Sequence, residues 1–171
     1  MTGASQAVSN KRSIVFVTGM SGTGKSTVLA ELGRRGHRVI DTDYGGWSEN
    51  PDGSGWLWRE DRIDSLLHEH TEGALFLSGT VSNQGEFYPR FDAIVLLSAP
   101  LDVILERIAA RTTNDYGKSA EEREEIIHYV ETVEPLLRAG AMFEIDTRKP
   151  LDEVADELER IAMQSSRRSH A

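Results

Sequence analysis

Eight consecutive residues near the N-terminus have the types and spacing that hold phosphate groups. Residues 19–26 read GMSGTGKS and match the pattern G-x-x-x-x-G-K-[S/T]. Glycines let the backbone wrap around phosphate oxygens, the lysine bridges the β- and γ-phosphates, and the serine hydroxyl holds Mg²⁺. The pattern therefore predicts a nucleoside triphosphate site. Its expected contacts come from the loop and the residue after it: Gly19, Ser21, Gly22, Thr23, Gly24, Lys25, Ser26 and Thr27.

The residues on either side of this loop predict the elements that position it. Residues 14–18 form a short apolar run rich in β-branched side chains, which is typical of a buried strand. Residues 27–32 have the pattern of a helix opening, and a helix N-terminus favours an anion. A glycine-rich turn with a chance lysine is the alternative, and the flanking strand and helix disfavour it.

Two carboxylates follow the second predicted strand, residues 39–40. Asp41 and Asp43 are one residue apart, and beside a triphosphate such a pair can serve Mg²⁺ or an acceptor hydroxyl. A capped turn is the alternative, because Asp is common in turns. We favour the functional interpretation. It places both carboxylates in the acceptor site, with Asp41 as the catalytic base and Asp43 supporting Mg²⁺ together with Ser26.

Two arginines at the end of a later helix have the spacing of a phosphate clamp. Arg107 and Arg111 are four residues apart on a helix predicted from about 100 to 111, so they share a face. Arg111 leads into a polar loop, residues 112–119, which we expect to form a short lid. The guanidinium fork matches phosphate oxygens, so both arginines are expected at the nucleotide, with Lys25 and Arg111 as catalytic cations. A solvated helix end is the alternative.

All three tryptophans lie in residues 44–72, which we interpret as an acceptor-binding flap. Trp47, Trp56 and Trp58 accompany Arg59 and Arg62, and aromatic planes with arginine suit an acceptor that has a ring and an anionic group. The alternative is that Trp56 and Trp58 anchor a helical flap, since residues 56–70 have helical spacing. The two interpretations stay open, and Arg59 is retained as an acceptor contact.

Further candidates lie in other loops. Gly79 and Arg90 follow the third predicted strand and are expected at the acceptor. Arg148 lies in the loop between the fifth predicted strand and the last helix, a loop expected against the nucleotide base. Arg123, just past the lid, is a third candidate for a phosphate contact.

Strands and helices alternate along the chain. Five short apolar runs predict strands at residues 14–18, 39–40, 74–77, 93–97 and 142–145. This alternation predicts an α/β fold, a P-loop NTPase with a five-stranded parallel sheet between two helical layers and a short lid. Ligands bind at the carboxyl ends of such strands, where the phosphate loop and the Asp41–Asp43 pair fall.

Length and charge narrow the class of protein. The 171 residues are expected to form one domain at 13–164, with tails at 1–12 and 165–171. The net charge of −9 disfavours a nucleic-acid binder. Cysteine is absent, which excludes disulfides and thiolate metal sites. No apolar run is long enough to span a membrane, so we expect a cytoplasmic monomer or homodimer with a small-molecule acceptor as its partner.

With these motifs, the chain resembles the nucleoside-monophosphate-kinase-like branch of the P-loop kinases over about residues 13–162. That branch includes adenylate, shikimate, gluconate and dephospho-coenzyme A kinases. The sequence VIDTD at 39–43 is similar to the Asp-Thr-Asp of shikimate kinases, where one Asp binds the acceptor and the other supports Mg²⁺. The sequence LERIAAR at 105–111 is similar to the helix that enters the lid and carries phosphate-contacting arginines.

The chain also departs from members of this branch. Ser78, Gly79 and Thr80 stand where adenylate kinases have Asp-Gly-Phe-Pro-Arg, and the Gly-Gly pair with which shikimate kinases bind their acceptor is absent. The acceptor is therefore not transferable from one subfamily. A hydroxyl acceptor needs a base, whereas a nucleoside monophosphate needs arginine clamps, for which Arg59, Arg62 and Arg90 are available.

The sequence as a whole predicts an ATP- and Mg²⁺-dependent kinase. It would transfer the γ-phosphoryl group to a nucleoside monophosphate or to the hydroxyl of a small metabolite. The alternative is a nucleotide-dependent ATPase or switch, or a catalytically weak ATP-binding protein.

Overall fold

A parallel sheet of five strands forms the centre of the molecule. The computed structural model describes residues 11–168. The seven strands in chain order are β1 Ser13–Thr18, β2 Arg38–Asp41, β3 Ser48–Glu49, β4 Leu57–Trp58, β5 Ala74–Ser78, β6 Ala93–Ser98 and β7 Phe143–Asp146. The main sheet has the order β2-β5-β1-β6-β7, and every neighbouring pair is parallel. The predicted five-stranded parallel sheet is confirmed.

Helices cover both faces of this sheet. They are α1 Lys25–Arg34, α2 Glu60–Glu69, α3 Leu101–Ala110, α4 Ala120–Thr132, α5 Glu134–Gly140 and α6 Leu151–Arg168, with a 3₁₀ helix at Gln84–Arg90. Side chains alternate along β1, so Val15 and Val17 pack in one core with α1 and α6. Ile14 and Phe16 pack in a second core with α2 and the 3₁₀ helix. Because both faces of the sheet are buried, residues 14–17 of β1 are all apolar, as the predicted three-layer fold requires.

The carboxyl ends of the strands meet at one edge of the sheet. Asp41 at the end of β2 is in register with Ser78 at the end of β5, and Val17 of β1 is in register with Ser78 as well. The loops that follow β1, β2 and β5 therefore lie next to one another. A ligand site is expected at this edge.

The segment predicted as a helix over residues 56–70 is different in the structure. A two-stranded antiparallel hairpin pairs Ser48 with Trp58, and α2 begins only at Glu60. The Trp58 ring is fully buried, with its Nε1 donating to Thr42 Oγ1 at 2.9 Å, whereas Trp56 is exposed. The helical prediction is confirmed for residues 60–69 and wrong for residues 56–59, because Asn83, from a distant loop, bonds both the N–H and the carbonyl of Trp58 and holds it extended.

The ends of the chain also differ from expectation. The predicted C-terminal tail at 165–171 begins too early, because α6 continues to Arg168 with Ser165 and Ser166 buried. Most of the predicted N-terminal tail lies outside the described residues, but Arg12 within it donates to the carbonyls of His70 and Leu67. Within residues 11–168, no helix has the length and apolar character needed to cross a membrane.

Candidate active site

The loop between β1 and α1 is folded tightly on itself. The Thr23 hydroxyl is buried and donates to the Met20 carbonyl at 2.7 Å. Gly19 has a φ of 154°, and a Cβ there would lie 2.5 Å from the Leu97 carbonyl oxygen and 2.9 Å from Thr23 Oγ1. Only glycine fits this position. Gly19 and Thr23 were predicted as ligand contacts. In the structure they determine the shape of the loop, and the Thr23 side chain is turned into the loop and not toward a ligand.

Lys25 is the first residue of α1, and its ammonium lies over the loop. Its Nζ donates to the carbonyls of Gly19 at 2.6 Å and Met20 at 3.0 Å. Burial lowers the pKa of Lys25 to about 8, against the opposing attraction of Asp43 and Asp41. No side chain caps the N-terminus of α1, so its first N–H groups face the same space as the ammonium.

The two arginines predicted at the nucleotide both reach the loop from α3. Arg107 donates to the carbonyl of Thr147 at 2.7 Å and to that of Gly22 at 3.4 Å, so it joins the phosphate loop to the loop after β7. Arg111, directly after α3, donates to Ser21 Oγ at 3.3 Å and to the Tyr116 carbonyl of the lid at 2.7 Å. Because α3 ends at Ala110 and Arg111 is extended, the two arginines do not share a helix face as predicted, yet both reach the loop.

These residues enclose what we name the phosphate-loop cavity, with a volume of about 320 Å³. Its wall combines the loop, α3, the lid and the start of the flap: Ser21, Gly22, Gly24, Lys25, Ser26, Thr27, Asp43, Tyr44, Arg107, Arg111, Thr113 and Asn114. Tyr44, Thr113 and Asn114 were not among the individual site residues predicted from the sequence, although Tyr44 belongs to the predicted flap and the other two belong to the predicted lid.

Arg148 is not brought to this site. Its guanidinium bonds both carboxylate oxygens of Asp146, with the shortest contact at 2.6 Å, and this pairing lowers the pKa of Asp146 to about 2. The neighbouring Thr147 and Lys149 line a cavity of about 270 Å³ beside Thr27 at the start of α1. The loop after β7 therefore lies next to the phosphate loop, but the Arg148 side chain does not line this cavity. Arg123 belongs to the exposed first turns of α4 and lines neither cavity.

The two carboxylates after β2 take different positions. Asp41 Oδ2 accepts a hydrogen bond from Ser26 Oγ at 2.7 Å, and its Oδ1 accepts the N–H of Asp43 at 3.1 Å. Asp43 lines the phosphate-loop cavity, and Asp41 does not. Burial raises the pKa of Asp43, as does the Asp41 charge, while the Lys25 ammonium opposes the rise.

A second cavity adjoins the first, and we name it the tryptophan cavity. Its volume is about 340 Å³. Asp43, Tyr44 and Asn114 line both cavities, so the two share a wall. The remaining wall comes from the flap and the loop after β5: Thr42, Gly46, Trp47, Ser48, Trp56, Thr80 and Val81.

Several residues predicted at the acceptor lie elsewhere. Arg59 Nε lies 3.9 Å from Glu49 Oε2, and Arg90 forms a salt bridge with Asp64 of α2. Arg90 lies at the other edge of the sheet, because the 3₁₀ helix carries the chain back to the amino end of β6. Gly79 packs against the Trp58 ring, and a Cβ there would lie 2.4 Å from Thr42 Oγ1. Gly79 therefore has a packing role, because a side chain at this position would clash with Thr42.

The oxygen donors at the end of β2 suit Mg²⁺. Ser26 supplies a hydroxyl, and Asp41 and Asp43 supply carboxylates, which are the hard ligands that this cation prefers. No group of three or more acidic, histidine or cysteine side chains that could hold a metal occurs within residues 11–168. A cation bound here would take its other ligands from phosphate oxygens and water, as Mg²⁺ does in nucleotide sites.

Comparisons with known proteins agree with this geometry. A protein-family model described as AAA domain matches residues 15–128. No curated protein matches the chain significantly. Among solved structures, shikimate kinase from Acinetobacter baumannii in complex with shikimate is similar, with a TM-score of 0.65, 19% identity, and 91% of this chain and 95% of that chain covered.

Two further solved structures show the same fold. Shikimate kinase from Bacteroides thetaiotaomicron has a TM-score of 0.60 at 17% identity, with 87% of this chain and 97% of that chain covered. A sugar kinase from Janibacter sp. has a TM-score of 0.54 at 18% identity, with 85% of this chain and 91% of that chain covered. The chain therefore belongs to the AAA domain family, and its three-layer fold is that of the P-loop kinases.

Proposed function

We propose that the protein is an ATP- and Mg²⁺-dependent kinase that phosphorylates a small molecule. The observation that carries this proposal is the shared wall of the two cavities. A phosphate site with three cationic side chains opens, at Asp43, onto a separate cavity of similar volume. A hydrolase needs room for water alone, whereas a transferase needs a second substrate site. The similar solved structures, which are shikimate kinases and a sugar kinase, support the same interpretation.

The cations of the phosphate-loop cavity hold the triphosphate and stabilise the charge that develops during transfer. Lys25 and Arg111 both line the cavity, Lys25 from the start of α1 and Arg111 at the lid. Fixed cations that do not need to reorganise are the main catalytic resource in phosphoryl transfer. Arg107 fixes the loop by its contacts with Gly22 and Thr147, and the cavity beside Thr147 would take the base.

The carboxylates take roles that are the reverse of the sequence prediction. Asp43 borders both cavities, so it is placed to accept the proton of an attacking hydroxyl, and its raised pKa suits a general base. The hydroxyl oxygen bonds to the γ-phosphorus, the bond from that phosphorus to the β–γ bridging oxygen breaks, and ADP leaves. Asp41 accepts the hydrogen bond of the Ser26 hydroxyl and so orients the side chain that would hold Mg²⁺. Bound Mg²⁺ would neutralise charge on the phosphates.

Release of ADP from Mg²⁺-ATP tests the proposal. The rate is measured alone and with a panel of small alcohols and nucleoside monophosphates, and products are identified by mass spectrometry. A kinase gives ADP release that rises with one acceptor, with phosphate found on that compound. ADP release that is equal with and without every compound, in a protein that binds ATP, would instead support the ATPase or switch alternative.

A further inference from the structure

The tryptophan cavity differs sharply in charge from the cavity beside it. Its ten lining residues include one carboxylate, Asp43, and among residues 11–168 no lysine, arginine or histidine lines it. The phosphate-loop cavity carries Lys25, Arg107 and Arg111. Cations are therefore concentrated on one side of Asp43.

The arginines of the flap bind to protein groups and not into this cavity. Arg62 Nη1 donates to the carbonyls of Gly45 and Gly46, each at 2.8 Å, and its guanidinium lies 4.3 Å from the centre of the Trp47 ring. Arg59 is near Glu49, and Arg90 pairs with Asp64. The arginine clamp that a nucleoside monophosphate needs is not assembled.

An anion in the tryptophan cavity would lie beside the Asp43 carboxylate, and no cation lines this cavity within residues 11–168. Two like charges a few ångströms apart repel each other, and a charge that enters a cavity without a partner loses part of its hydration. A cationic acceptor would pair with Asp43 and so occupy the carboxylate at the boundary of the two cavities. An uncharged hydroxyl compound avoids both effects.

The walls of the cavity are suited to a ring. Tyr44 is 64% exposed and Trp56 is 58% exposed, and both border the cavity together with Trp47. Large aromatic side chains left this exposed beside a cavity mark a ligand site. Their faces pack well on the C–H groups of a ring, while Ser48, Thr80 and Asn114 offer hydrogen-bonding groups.

We infer that the acceptor is an uncharged ring compound with hydroxyl groups, of the chemical class of sugars and nucleosides. This inference rests on the proposed kinase function. It excludes nucleoside monophosphates and carboxylate-bearing alcohols, which the sequence left open.

Pairs of ring compounds that differ in charge test the inference. Each hexose is compared with its hexuronate and its amino sugar, and each nucleoside with its 5′-monophosphate. The readouts are ADP release and the mass of the product. We expect kcat/KM for the uncharged member to exceed that of its charged partner by about 100-fold or more, because an unpaired charge in the site is strongly rejected.

The outcomes separate the two proposals. Transfer of phosphate to an anionic or cationic member in preference to its uncharged partner overturns the inference and leaves the kinase function standing. ADP release that stays flat over the whole set, with ATP bound, overturns the kinase function and this inference together.

A pair of exposed aromatic residues supplies matched variants. Trp56→Ala is expected to raise KM for the uncharged acceptor roughly tenfold, with the Kd of ATP unchanged, because a stacking surface is lost. Tyr129→Ala removes an exposed aromatic on α4, outside both cavities, and is the control. Equal KM values in Trp56→Ala and wild type would contradict the placement of the acceptor.

Discussion

The two adjoining cavities are built from different kinds of structure. The phosphate-loop cavity takes its cationic side chains from α1, from α3 and from Arg111 directly after α3. The tryptophan cavity takes its aromatic side chains from a short hairpin and irregular loops. Phosphate binding is therefore assigned to the rigid part of the fold, and acceptor recognition to a part whose residues are mostly exposed. Asp43 is the carboxylate at which the two meet.

Removing the carboxylate at this boundary should have the largest effect. Asp43→Asn is expected to lower kcat roughly 1000-fold, since a general base contributes 10²–10⁴, while the Kd of ATP stays within about twofold. Because the pKa of Asp43 is raised, wild-type activity should climb as pH rises through that pKa, and the variant should lack this limb. Steady-state rates between pH 4 and 9 provide the measurement.

Asp41→Asn is the matched variant for this experiment. It is expected to raise the Mg²⁺ concentration needed for half-maximal rate, because Asp41 orients Ser26. If Asp41→Asn instead loses kcat at saturating Mg²⁺ while Asp43→Asn stays active, the base is Asp41, as the sequence first indicated.

The next largest effect is expected from the cation at the lid. Arg111→Ala should lower kcat roughly 100-fold, the effect of losing one preorganised charge at a transition state. Arg148→Ala is the control, because its guanidinium is bound to Asp146, and it should change kcat less than twofold. A large loss in Arg148→Ala would place that side chain on the nucleotide after all.

A smaller effect is expected from pH at the phosphate loop. Since burial lowers the pKa of Lys25 to about 8, the free protein loses this ammonium as pH rises above that value. Binding of ATP then requires uptake of a proton, so the affinity should fall by up to about tenfold per pH unit above pH 8. Calorimetric titrations at several pH values measure this slope.

Arginine at the same position gives the control for that slope. Lys25→Arg should bind ATP more weakly but with no change between pH 7 and 9, because a guanidinium does not titrate there. A wild-type affinity that is constant over this range would show that Lys25 stays charged.

The smallest effect is expected at the mouth of the tryptophan cavity. Tyr44→Arg adds a cation to the lining of the tryptophan cavity, which has none within residues 11–168. This variant should lower kcat/KM for an uncharged acceptor by roughly threefold to tenfold, and it should raise kcat/KM for the anionic partner of that acceptor. Tyr44→Phe keeps the ring and should behave as wild type. If Tyr44→Arg leaves the preference for uncharged compounds unchanged, Tyr44 does not contact the acceptor.

The part of the site that the sequence predicted is the part determined by neighbouring residues. The phosphate loop is one contiguous motif, and Arg107 and Arg111 lie four residues apart in one short segment. These positions need no knowledge of distant contacts, and the structure places them together at one cavity.

The flap was not predictable in this way. Trp58 is extended because Asn83, twenty-five residues away, bonds its backbone, and its ring is buried by a bond to Thr42. The helical spacing of residues 56–70 carries no trace of these distant partners. The separate positions of Asp41 and Asp43 were also not predictable, because side chains at the end of a strand turn according to the strand's pairing, here with Ser78.

The burial of Trp58 has a consequence for how this protein can change over evolution. Trp58 fixes the hairpin to the core and Trp47 packs against the same core, whereas Trp56 lines the tryptophan cavity and is exposed. Substitutions at the exposed positions alter the surface that meets the acceptor at little cost in folding stability. The phosphate loop and the sheet are untouched by such changes. Under the proposed function, chains that keep Trp58, Thr42 and Gly79 would be free to adopt new acceptors while retaining the same phosphate chemistry.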